Sequence, residues 1–143
     1  MIGFFAHQYL SFKENHLANL IALAKIDGHL HDEEAQMLYK IGAKYGLKDK
    51  QIAKLIDNEE AHEISVPDSH EHKMNQLYDL VMMVHADNVV EDSEVLFCED
   101  LADKFGFKRE VIQWLIAAFE KGNPPAPEVW DDIKNTAASQ YIA

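Results

Sequence analysis

Six acidic residues stand where a metal could be held or a helix capped: Asp27, Asp32 and Glu34 in one stretch, Asp87, Asp92 and Glu94 in another. In each stretch the first Asp follows a run of apolar residues at helical spacing. The Glu falls seven residues later, where the next such run begins. A helix hairpin would turn these carboxylates toward its own loop. Hard divalent cations such as calcium, magnesium or manganese want several oxygens, and these six residues are the candidate ligands. The first stretch also resembles the tail of an EF-hand, but Leu23 and Lys25 stand where that loop needs oxygen ligands, so an EF-hand is excluded. The same residues also work without metal. Asp accepts from loop amides, and acids in a first helical turn answer its unpaired N–H groups and its dipole.

Other chemistries have thinner support. His29, His31, His62, His70 and His72 offer imidazoles that suit zinc, copper or nickel, but no defined ligand set frames them. His85 reads as a partly exposed helix residue with no Ser or Cys partner to activate. The single cysteine, Cys98, excludes an internal disulfide and falls on a buried helix face. No glycine-rich phosphate loop, metalloprotease helix motif or paired-cysteine zinc pattern occurs. The expectation is a non-catalytic protein.

Charge narrows the partners. With 13 basic against 25 acidic residues the formal net charge is −12, which opposes nucleic acid and anionic lipid. Protein partners are expected, with no nucleic acid. No apolar run approaches the roughly 20 residues of a membrane span, which leaves only a peripheral membrane complex. Met1–Leu10 lacks the pattern of a secretory signal, so a cytoplasmic location is expected.

Positioning these residues calls for an all-α fold of about seven helices. Ser11 with Glu14 makes a capping box for a first helix over 12–26, ended by Gly28. A second helix is predicted over 32–45, with Ala35, Leu38, Ile41 and Tyr45 inward and Gly46 as its stop. A third covers 49–57. Asp68 with Glu71 offers a capping box for a fourth over 69–86, and two more follow over 92–105 and 108–120. After Gly122, Pro124 and Pro125, a last amphipathic helix carries Val129, Trp130 and Ile133 on one side. Phe4, Phe5, Tyr9 and Phe12 would dock the N-terminal segment or form a contact surface.

The chain also matches itself at an offset of sixty residues. Residues 17–56 align with 77–116 without a gap. Shared aliphatics are cheap in amphipathic helices. Asp27, Asp32, Glu34, Lys44, Gly46 and Lys48 recurring as Asp87, Asp92, Glu94, Lys104, Gly106 and Lys108 are harder to dismiss. Position 28 is Gly in one copy and Asn in the other, the two residues best suited to a left-handed cap. One domain over 1–143 is expected: repeat one at 12–57, a linker at 58–68, repeat two at 69–120 and a C-terminal helix at 126–141. The oily faces of the repeats would pack together as a pseudo-twofold bundle.

The strings from Ala24 to Glu34 and from Val84 to Glu94 resemble the paired signatures of the TerB-like (tellurite-resistance protein TerB) family. The pattern is a small residue before Asp-Gly, an aliphatic two residues later and Glu seven residues after the Asp. Gly46, Gly106 and Pro67 fit it, and the likeness covers about residues 12–120. The second copy departs from it at Asn88 and Val89, the first at His29 and His31. The resemblance implies seven helices, a role in bacterial stress and tellurite resistance, and divalent metal at Asp27, Glu34, Asp87 and Glu94. It also implies company with co-chaperone modules. Three functions follow as expectations: a metal-tuned binding or scaffold domain, a metal-independent interaction module of co-chaperone type, and a small metal-dependent enzyme.

Overall fold

Leucines, isoleucines and methionines at three- and four-residue intervals wind the chain into helices whose oily stripes meet in one core. The computed structural model describes residues 12–58 and 63–143. Among these, seven α-helices form: α1 (Phe12–Ala24), α2 (Asp32–Lys44), α3 (Asp49–Asp57), α4 (His70–Val84), α5 (Asp92–Lys104), α6 (Val111–Ala118) and α7 (Pro127–Gln140). A 3-10 turn covers Glu120–Gly122. The described residues contain no strand, only an isolated antiparallel bridge between Phe107 and Ile142.

Helices α1 and α4 are the central pair, and both pack against α2 and α5. Leu17, Leu20 and Leu23 of α1 and Leu77, Leu80 and Val84 of α4 are buried, with Leu38, Ile52, Cys98 and Ile112 around them. Helix α7 closes over α4 through Ile133 and Ala137. Val129, expected on that inner side, is half exposed, because the helix turns Trp130 and Ile133 inward instead.

The turns after α1 and α4 carry the same backbone bonds. Gly28 N–H donates to Lys25 O at 2.9 Å, and Asn88 N–H to His85 O at 3.0 Å. Both residues have positive φ, 86° and 63°. The ends of α2 and α5 also agree. Leu47 N–H donates to Gly42 O and Phe107 N–H to Ala102 O, each at 2.9 Å, while Gly46 and Gly106 adopt the left-handed conformation of a Schellman stop.

Several sequence expectations shift. Helix α4 is capped by Ser69, whose Oγ accepts from His72 N–H at 3.1 Å, and not by Asp68. Helix α6 starts at Val111 and not at Lys108, because the residues before it form tighter turns, with Val111 N–H donating to Lys108 O at 3.1 Å and Ile112 N–H to Arg109 O at 3.2 Å. Helices α1, α2, α4 and α5 each stop one or two residues before the predicted end, where the capping turns begin. The Ser11 half of the first capping box, the aromatics Phe4, Phe5 and Tyr9, and His62 lie outside the described residues.

Gly42 marks a close approach between helices. A Cβ there would stand 2.5 Å from Ile52 Cδ1 and 2.9 Å from Cγ1, and Ile52 is wholly buried. Gly42→Ala is therefore expected to destabilise by about 2 kcal/mol, outweighing the better helix propensity of Ala. Urea denaturation checks this, and a neutral or stabilising result would show that Ile52 moves aside freely.

Candidate functional site

The acidic turns meet at one end of the bundle. Asp27 Oδ1 accepts from His29 N–H at 3.0 Å, and Asp87 Oδ1 accepts from Val89 N–H at 3.1 Å. Each is a short Asx turn that closes its loop. The backbone bond from His29 holds the Asp27 carboxyl below its usual range, helped by the His31 ring 3.3 Å from Oδ2. That same bond to Asp27 raises His31, and the charges of Glu34 and of Asp87 in the other turn add to it. Asp32 and Asp92 are exposed first-turn residues of α2 and α5.

Glu34 and Glu94 behave differently, because both are buried. Glu34 reaches back to the N–H of His31, completing a capping box. Its carboxylate also meets Glu94. Burial pushes Glu94 up to about 8, and the hydrogen bond and charge of Glu34 push in the same direction. Glu94 therefore holds its proton well above the ordinary carboxylate range, as burial beside a second carboxylate requires. Among the described residues no three His, Cys, Asp or Glu side chains are grouped to hold a metal ion. The six sequence candidates thus divide into two loop closers, two helix-terminal acids and one paired couple.

The histidines fall apart as a set. His70 Nε2 donates to Lys134 O at 3.0 Å, and His85 Nε2 to Ile116 O at 3.2 Å. His85 is half-buried, as expected of a polar helix residue. His29 and His72 are exposed. Cys98 is wholly buried and burial pushes its thiol up, so it is a core residue and no nucleophile.

A second polar assembly lies inside the bundle, and sequence reasoning missed it. Asp79 of α4 is 1% exposed. It accepts from His16 Nε2 at 2.7 Å, from Lys44 Nζ at 2.7 Å and from Tyr45 Oη at 2.9 Å. A buried carboxylate is tolerable only with such a set of donors. Burial pushes the Tyr45 hydroxyl well above its usual range, and the Asp79 charge adds to this. The Lys44 ammonium also sits 5.1 and 5.2 Å from the ring centroids of Tyr45 and Tyr78. One turn along, Asn19 Nδ2 donates to Gln76 Oε1 at 3.1 Å and to Ser65 O at 3.0 Å. Gln76 Nε2 donates to His16 O at 3.2 Å.

A signal for this seam was present in the sequence. The sixty-residue offset sets His16 on Gln76 and Asn19 on Asp79, so both copies carry polar residues at the same two places of an otherwise oily face. Compared with known proteins, the chain matches no family model, no curated protein and no solved structure.

Proposed function

We propose that this chain is a non-catalytic, TerB-like binding domain that engages a protein partner through the end bearing its two acidic turns. The setting is a cytoplasmic, bacterial stress response of the tellurite-resistance type. One observation carries the reading. The turn carboxylates are already used by the protein itself, while Ile26, Val89 and Val90 beside them stand 43%, 55% and 44% exposed. Aliphatic side chains rimmed by charge mark contact surfaces. The acid-rich rim favours a partner that brings basic residues.

The paired motif spacing and the seven described helices support the TerB-like assignment. Contacts also support reading the fold as two copies about a pseudo-twofold axis. Replacing each residue by its counterpart sixty positions away turns the His16–Asp79 contact into Gln76–Asn19, and both are hydrogen-bonded. The same exchange turns Glu34–Glu94 into itself. A residue that meets its own counterpart belongs at the axis of an isologous contact.

Immobilised protein is expected to retain its partner equally in chelator and in calcium. Val89→Ser/Val90→Ser should weaken that retention at least tenfold, an effect of about 1.4 kcal/mol or more. Retention by the double variant at the level of the natural sequence overturns the reading. A second reading rests on the Glu34–Glu94 pair: calcium, magnesium or manganese would replace the Glu94 proton there. Partner loss on chelation, with calorimetric cation binding tighter than millimolar, would put that reading first.

A further inference from the structure

His16 has two ring nitrogens and only one is used. Nε2 meets Asp79, while Nδ1 is buried without a hydrogen-bond partner. Among the described residues it is the one buried side-chain nitrogen or oxygen in that condition. An ionised carboxylate only accepts, so the bond to Asp79 is made by Nε2–H. In the neutral ring Nδ1 then keeps its lone pair. Buried polar atoms in folded proteins nearly always find a partner, so an orphaned acceptor asks for a donor from outside.

His16 also lines a cleft of about 280 Å³ between α1, the segment 65–68 and the start of α4. Asp79 is not among the lining residues, so His16 is the residue that joins the buried carboxylate to the cleft. Gln76 and Asn19, at the cleft base, bond to one another and to neighbouring backbone. The walls are mixed: Phe12, which lies on the His72 ring at 4.3 Å between centroids, Val66 and Pro67 supply the apolar part, and Asn15 and Ser65 are polar. Exposed Asp68 sits at the rim, and among the described residues no Lys or Arg lines the cleft.

We propose that this cleft binds a small cation bearing N–H groups, an alkylammonium or guanidinium, which donates to His16 Nδ1. Its carbon skeleton lies against Phe12 and Pro67, and the Asp68 carboxylate answers its charge. The net charge of −12 adds a favourable field for such a ligand. Aromatic walls suit cations as well as carbon. The site stands apart from the acidic turns and from the partner surface proposed there.

Long-range ¹H–¹⁵N spectra of the histidine rings in the full chain provide the test, with ethylammonium and methylguanidinium as probes. The His16 Nδ1 resonance is expected to move saturably with a dissociation constant near or below about 1 mM. Tetramethylammonium, which carries the charge but no N–H, should bind at least tenfold more weakly. Asp68→Asn, an exposed rim change, should weaken the N–H probes severalfold with unchanged circular dichroism. An unmoved His16 Nδ1 resonance overturns the proposal. So does equal binding of tetramethylammonium, or a response to inorganic phosphate in place of the two cations.

Discussion

Asp79→Ala is expected to lower the melting temperature by about 10 °C, the largest effect of any polar substitution in this chain. The carboxylate gathers His16, Lys44 and Tyr45, and its loss leaves an imidazole N–H and a phenol without an acceptor inside the bundle. Breaking one partner out of a buried charged network costs about 3 kcal/mol or more. At roughly 2–4 °C per kcal/mol for a domain of this size, that is the shift stated. Lys44→Met is the informative contrast. Its side chain is 49% exposed, so water replaces the lost partner and the cost should stay under about 1 kcal/mol. Thermal unfolding of both variants decides the matter. An Asp79→Ala protein as stable as Lys44→Met would mean that the seam holds water and little energy.

Glu94→Gln should make the protein more stable, and only in neutral to alkaline solution. The ordinary glutamate value is 4.5, whereas the folded chain holds Glu94 at about 8. Between those limits the native state binds more protons than the unfolded state, so this group's contribution is full below 4.5 and falls as pH rises. It is gone once pH passes about 8. Glutamine keeps a donor for Glu34 and cannot ionise. The variant should therefore match the parent near pH 4.5 and exceed it by about 2 kcal/mol near pH 8.5, a gain of roughly 6 °C. Urea titrations at the two pH values measure this. Parallel profiles for the two proteins would show that the carboxylates do not confront each other in solution.

The helices were legible because their signals are local. Gly28, Gly46 and Gly106 mark ends that only a left-handed residue can make, and the sixty-residue offset set Asn88 where it finds the same use. Ser69 was overlooked beside Asp68 because both are good caps and only the backbone bond to His72 separates them. The start of α6 depended on the tight turn bonds to Lys108 and Arg109, which no helical pattern announces. The seam was hidden for a different reason. A His or Asp in an apolar stripe looks like a flaw until its partner on another helix is known, and that partner lies 63 residues along the chain. The meeting of Glu34 with Glu94 was likewise unreadable, since each has a sufficient local role as a helix-terminal acid.

The reciprocal bonds between α1 and α4 set the order of events during synthesis. His16 and Asn19 join Gln76 and Asp79 across separations of 57 to 63 residues, so α1 leaves the ribosome with half of each of these bonds missing. At about 5–20 residues per second, several seconds pass before its counterpart arrives. During that interval the nascent chain carries an oily face interrupted by His16 and Asn19, which weakens it as a sticking surface for other nascent chains. The same two polar residues that fix the finished register thus keep the unfinished half from committing early.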